Sequence, residues 1–146
     1  MKVWRHLDRE NFEFFDRQRL HFRMDNTSNG EHFETLALNE IFVGEKTVAK
    51  SSIYRVKVDE DDYIGKFMSS GLLIATGTGS TGWLYSACRY SEQNVHAALE
   101  LLGHHGEPEL VRIHLAEELS KETVFPCDTQ KMYYFVREAN AADTSG

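Results

Sequence analysis

The stretch "GLLIATGTGSTGWLYSACRY", Gly71 to Tyr90, changes character twice. An apolar segment, Gly71 to Ala75, gives way to a cluster of Gly, Thr and Ser, and from Gly82 the spacing becomes helical. Leu84, Cys88, Val95, Leu99 and Leu102 fall at helix-compatible intervals, with Gly103 placed to end the helix. Ser91 is a candidate cap for a second helical piece, so one helix and two are both compatible with the pattern. Strand, flexible turn and helix in that order form a common phosphate-binding arrangement, because amides at a helix start favour an anion.

Upstream of this stretch the chain reads as strands. "FEFFDRQRLHF", Phe12 to Phe22, partly alternates apolar and charged residues, as a strand with one wet face does. "NTSNGEH", Asn26 to His32, is a run of turn formers. "TLALNEIFVGE", Thr35 to Glu45, is an apolar run interrupted by Asn39 and Glu40. In "SSIYRVKVDEDD", Ile53, Arg55 and Lys57 alternate with Tyr54, Val56 and Val58, predicting a half-buried strand ended by an acidic turn. "YIGKFMSSGLLIAT" supplies two strands with a break at Ser69 to Gly71. Downstream, "PELVRIHLAEELSKE" predicts a helix and "KMYYFVRE" a final strand. The layout is a β-rich α+β fold rather than a regular βαβ alternation. It makes one domain over residues 1–138, with a small polar tail over 139–146 that is expected to be flexible.

Bulk properties narrow the function classes. The 146 residues suit one domain, and 41% hydrophobic with 12% aromatic residues suffice for a core. A net charge of −7 argues against nucleic acid as partner. Residues 1–23 carry six Lys/Arg against four Asp/Glu and the remainder ten against nineteen, a weakly basic strip that reads as an ordinary solvated face. No apolar run is long enough to cross a bilayer, so no membrane partner is expected. The opening "MKVWRHLDRENFEFF" has neither a signal peptide's apolar centre nor the acid-poor composition of a transit peptide. Cys88 and Cys127 form no metal-spacing motif.

Two features could carry chemistry. Gly77, Gly79 and Gly82 allow close backbone approach, while Thr76, Thr78, Ser80 and Thr81 offer hydroxyls. An ATP P-loop is excluded, since no lysine occurs between Lys66 and Lys121. Gly77 to Gly82 matches G-x-G-x-x-G, but helix replaces the strand with an acidic end that a dinucleotide fold needs. By spacing alone this is either a structural turn or a ligand loop. The second feature is Asn39-Glu40, a polar pair inside an apolar strand, where buried polar groups need partners. It is either a strand end with Glu40 in solvent or a strand presenting both side chains to a polar ligand. His96, His104, His105 and His114 form no zinc pattern and read as surface residues. Ser80 lacks a nucleophile elbow.

Taken together, "ALNEIFVGE" and "SSGLLIATGTGSTGW" resemble two linked motifs of the NAD kinase family. In that family an Asn-Glu pair on a strand is followed, after a strand pair, by a Gly-Leu-apolar strand and a Thr-Pro-Thr-Gly-Ser-Thr-Ala-Tyr loop. Asn39 and Glu40 match the pair, and Thr76, Thr78, Gly79, Ser80 and Thr81 match the loop. Gly77 stands in place of Pro, Gly82 of Ala and Trp83 of Tyr. The Thr-Gly-Thr-Gly-Ser form, with "SSGL" and "FVRE", is closest to the mitochondrial branch. The resemblance covers Leu36 to Trp83, with fewer matches on to Arg137.

The family transfers the γ-phosphoryl group of ATP to the 2′-hydroxyl of the adenosine ribose of NAD, chemistry that rests on positioning, a metal ion and a carboxylate. That carboxylate sits in a Gly-Gly-Asp-Gly motif of an N-terminal α/β domain, and the tetrapeptide does not occur here. The resemblance therefore implies part of the C-terminal β-sandwich-like domain, with no catalytic residue and no metal ligand in this chain. NAD is the implied ligand; ATP and Mg²⁺ would come with the catalytic domain. Asn39 and Glu40 would meet ribose hydroxyls or adenine, and Thr78, Thr81, Gly82 and Trp83 would line the pocket. Thr76, Gly79 and Ser80 belong to the same cofactor-binding loop, and Ser86 stands where the family has a serine near adenine. A homodimer and a mitochondrial location are implied as well. Ser70 replaces an Asp common in the family, as it does in the mitochondrial branch. The expectation is a fragment or short form that does not turn over NAD alone. An inactive NAD-binding or regulatory module and a small β-rich interaction domain are the alternatives.

Overall fold

The computed structural model describes residues 15–25, 28–47, 50–58 and 62–139. In chain order its elements are β1 (Leu20–Met24), β2 (Phe33–Ala37), β3 (Glu40–Val43), β4 (Ser52–Val58), β5 (Asp62–Ser69), β6 (Gly71–Ala75), a 3₁₀ turn (Gly79–Thr81), α1 (Trp83–Ala87), α2 (Glu92–Leu101), α3 (Glu109–Lys121) and β7 (Tyr133–Arg137). The α+β, β-rich class read from the sequence is the class observed.

The strands form two antiparallel pairs, β1-β2 and β4-β5, and a three-stranded antiparallel sheet in the order β3-β6-β7. Strand β6 is apolar throughout because it lies between two neighbours and is covered on its faces. Directly paired residues share a face of a sheet. Glu40, Ala75 and Tyr133 therefore form one row, and Phe42, Leu73 and Phe135 the next. Leu84 of α1 lands on that face. It is fully buried with Leu73 and Ala75, and Cys88, Phe125 and Phe135 pack around them.

The helical stretch resolves into two helices. The chain leaves helix at Cys88, and Ser91 restarts it with a capping box: its Oγ accepts from Asn94 N, and its own N–H donates to Asn94 Oδ1. Gly103, at φ +82°, ends the helical region in the left-handed conformation that glycine tolerates. Helix α3 returns alongside α2, joined by the Glu92–Arg112 ion pair. The buried Ser120 hydroxyl accepts from Tyr90 N at 3.0 Å, tying α3 to the break between α1 and α2.

Two expected strands are corrected. Of Phe12 to Phe22, residues 12–14 lie outside the described residues, and pairing begins only at Leu20. Phe15 to Arg19 stay out of the sheet, and there the Gln18 N–H donates to Cys127 O rather than to a strand partner. Thr35 to Glu45 is two strands rather than one: β2 pairs with β1, while β3 pairs with β6 in a different sheet. The chain bends at Leu38 and Asn39 between them. The break before β6 falls at Ser70, as the sequence indicates. The expected turn at Asn26–His32 holds at Ser28–Asn29, whereas residues 26–27, the acidic turn at 59–61 and the tail from 140 onward lie outside the described residues.

Candidate functional site

The bend at Leu38-Asn39 and the glycine-rich loop meet, and Thr76 is the clasp. Its N–H donates to Asn39 O at 2.9 Å, and its Oγ1 donates to Leu38 O at 2.6 Å. The same hydroxyl accepts from Gly79 N at 3.2 Å. Thr76 is 1% exposed, so these bonds form away from water. Glycine is required at position 79, because a Cβ there would stand 2.2 Å from Asn39 O. Segments 37 positions apart are thus joined backbone to backbone by the Thr76 N–H to Asn39 O bond.

The loop's other side rests on the segment Phe125–Cys127. Ser80, fully buried, donates from Oγ to Gly77 O at 2.7 Å and accepts from Phe125 N at 3.2 Å. A Cβ on Gly77 would lie 2.1 Å from Pro126 O. Proline, which the family carries at this loop position, has no room here. Thr76, Gly79 and Ser80, grouped with the cofactor-binding residues by resemblance, therefore use their polar groups inside the protein.

A different set faces outward. Asn39 is exposed, and only its backbone carbonyl takes part in the clasp. Glu40 is half-buried at the start of β3, in the row with Ala75 and Tyr133 on the face that α1 covers. Thr78 is half-buried, and Thr81, Gly82, Trp83 and Ser86 are exposed. The Trp83 indole leans on the Phe42 ring, centroids 5.0 Å apart and planes at 34°. Ser86 N–H donates to Gly82 O at 3.2 Å, holding its hydroxyl on the same rim.

Four of the loop's amides are bonded within the protein. The amides of Thr76, Gly79, Ser80 and Gly82 donate to Asn39 O, Thr76 Oγ1, Gly77 O and Gly79 O respectively. They are occupied before any ligand arrives. Helix α1 has only five residues, too short to present a helix-start field.

Concavities flank the outward face at Ser86. One of about 380 Å³ is lined by Trp83, Ser86, Ala87, Phe135, Arg137 and Glu138, and another of about 450 Å³ by Ser86, Arg89, Tyr90, Glu92 and Ile113 among others. Both fall in the size range of small-molecule sites. Behind α1, burial pushes the Cys88 thiol up from its ordinary pKa. Burial likewise raises Tyr133, with Cys88, Tyr90 and Tyr134 adding to the effect. His96, His104, His105 and His114 are exposed. Among the described residues no three His, Cys, Asp or Glu side chains converge as metal ligands.

Three contributors escape a reading of the sequence. Phe42 supports Trp83, Phe125–Cys127 carries the loop, and Arg17 donates from Nη1 to Thr78 Oγ1 at 3.3 Å. The Phe at the third position of "EIFV" was the available signal for the first. The other two are contacts across the length of the chain, with no local signature.

No protein-family model matches the chain. It is 29% identical over 126 residues to human "NAD kinase 2, mitochondrial", a match covering 83% of this chain and 28% of that protein. The rat "NAD kinase 2, mitochondrial" is 28% identical over 130 residues, covering 85% of this chain and 30% of the relative. "NAD kinase" of Clostridium beijerinckii is 34% identical over 76 residues, or 52% of this chain and 26% of that protein. The chain thus spans less than a third of the length of these curated relatives.

Proposed function

We propose, for a chain that belongs to the NAD kinase family, that it forms the NAD-binding part of an ATP-dependent NAD kinase of the mitochondrial type. The observation that carries this reading is the clasp at Thr76, which joins the Asn39-Glu40 bend to the Thr78–Trp83 rim. Two motifs that resemble the family's NAD-contacting elements thereby become one surface. Asn39 and Glu40 are suited to hydroxyls of the ribose or to polar edges of adenine, because a carboxamide donates and accepts and a carboxylate accepts. Trp83, backed by Phe42, offers a flat face for a ring, and Thr78, Thr81, Gly82 and Ser86 complete the wall. Thr76, Gly79 and Ser80 hold that wall in place from inside.

The transfer itself needs two further groups. A carboxylate must accept the proton of the attacking 2′-hydroxyl, and Mg²⁺ must neutralise charge on the donor phosphates. The sequence has no Gly-Gly-Asp-Gly, the motif that holds this carboxylate in the family it resembles. ATP and its metal ion belong, as the resemblance implies, with the family's catalytic domain. Self-association fits the exposed apolar residues Leu36 and Ile53 on the β1-β2 and β4-β5 pairs. A mitochondrial location follows the named relatives.

Titration calorimetry with NAD tests the reading. The chain is expected to bind NAD, and Asn39→Ala to weaken binding about tenfold, the loss of one or two ligand hydrogen bonds. The substitution spares the clasp, which uses only the main chain of Asn39. Supplied with ATP and Mg²⁺, the chain alone is expected to form no NADP. Absence of NAD binding, or binding indifferent to Asn39→Ala, would favour the interaction-domain alternative.

A further inference from the structure

We propose that Arg17 is the phosphate-recognising residue of this site, its guanidinium binding the diphosphate of the dinucleotide. The inference rests on the NAD-binding reading and adds to it a residue outside both motifs. NAD brings two phosphate charges, and of the arginines around this surface Arg89 and Arg137 line the concavities at Ser86, whereas Arg17 bonds the Thr78 rim itself. The loop cannot serve through the four amides already bonded within the protein, those of Thr76, Gly79, Ser80 and Gly82. A guanidinium on the rim supplies the positive charge that backbone amides lack.

Arg17 stands at the right place and is held there. Its Nη1 donates to Thr78 Oγ1 on the outward rim, 61 positions away in sequence. The neighbouring Gln18 N–H donates to Cys127 O at 2.8 Å, so the backbone beside Arg17 is fixed to the segment on which Gly77 and Ser80 rest. One plank, Phe125–Cys127, therefore positions both the loop and the arginine. The side chain is exposed, and among the described residues its bond is to Thr78, made through Nη1, while the guanidinium fork carries further N–H donors suited to a ligand. Guanidinium suits paired phosphate oxygens because its donors are planar and parallel. Among the described residues of the weakly basic opening strip, Arg17 is the one bonded to the rim.

The experiment compares NAD with adenosine, which keeps the base and ribose and lacks the phosphates. Binding of each is measured by calorimetry at low and high salt for the wild-type chain, Arg17→Gln and Arg17→Lys. Arg17→Gln is expected to weaken NAD about tenfold and leave adenosine unchanged, as loss of one charge-assisted contact does. Arg17→Lys is expected to fall between, retaining charge without the fork. The wild-type chain should lose NAD affinity with salt more steeply than Arg17→Gln. Equal NAD affinity in wild type and Arg17→Gln overturns the proposal while leaving the NAD site standing, and so does a parallel loss of NAD and adenosine. Failure of the wild-type chain to bind NAD overturns both. Unchanged thermal melting of the variants verifies that the fold is intact.

Discussion

Replacing Gly79 with alanine puts a methyl group where the loop and the Asn39 bend meet. The new Cβ would lie 2.2 Å from Asn39 O and 2.6 Å from its carbonyl carbon. Ordinary contact begins near 3.4 Å, so the two segments must part by about 1 Å. The Thr76 N–H···O=C bond to Asn39, 2.9 Å long, would then stretch beyond hydrogen-bonding range, and the Thr76 Oγ1 bond to Leu38 O would go with it. Each such bond contributes about 1 kcal/mol net, and a buried group left unpaired costs about 1–3 kcal/mol. Gly79→Ala should therefore destabilise the chain by about 2–4 kcal/mol, a large part of the ~5–15 kcal/mol of an ordinary domain. Gly82→Ala is the control. Its Cβ would meet Gly79 O at 3.5 Å, ordinary contact, and the expected cost is under about 1 kcal/mol. Urea unfolding followed by circular dichroism, with slopes compared between variants, gives both values. If Gly79→Ala unfolds at the same urea concentration as Gly82→Ala, the close approach of loop and bend is not what holds the rim.

Two further outcomes follow from the same geometry. Thr76→Val removes the clasp hydroxyl at a site 1% exposed and leaves Leu38 O and Gly79 N without it; a loss of about 1–3 kcal/mol is expected in urea unfolding, and Thr76→Ser should restore most of it. Burial raises the Cys88 thiol, so in a Cys127→Ser background its alkylation rate should rise with pH around a midpoint above that of the urea-unfolded chain. The sign of the linkage is fixed by the same shift: the stability it contributes is full below the unfolded thiol pKa and is lost as pH rises through the higher folded value. A folded midpoint at or below the unfolded one would contradict the packing of Cys88 against the Leu73–Leu84 core.

Local patterns were enough for the elements whose partners are near in sequence or whose burial is uniform. The apolar run of β6 announces a strand, Ser91 a helix cap and Gly103 a helix end, because each signal is satisfied within a few residues. The motif pair Asn39-Glu40 and Thr76–Trp83 was likewise legible, since side-chain type and order are properties of the chain itself. Which of those residues face outward was not. Thr76, Gly79 and Ser80 look as available in sequence as Thr78 and Thr81, and only the approach of the Asn39 bend and the Phe125–Cys127 segment turns them inward. The split of Thr35 to Glu45 into two strands and the stationing of Arg17 on Thr78 have the same origin. Backbone hydrogen bonds and close contacts between distant segments decided them, and such contacts leave no mark on residue spacing along the chain.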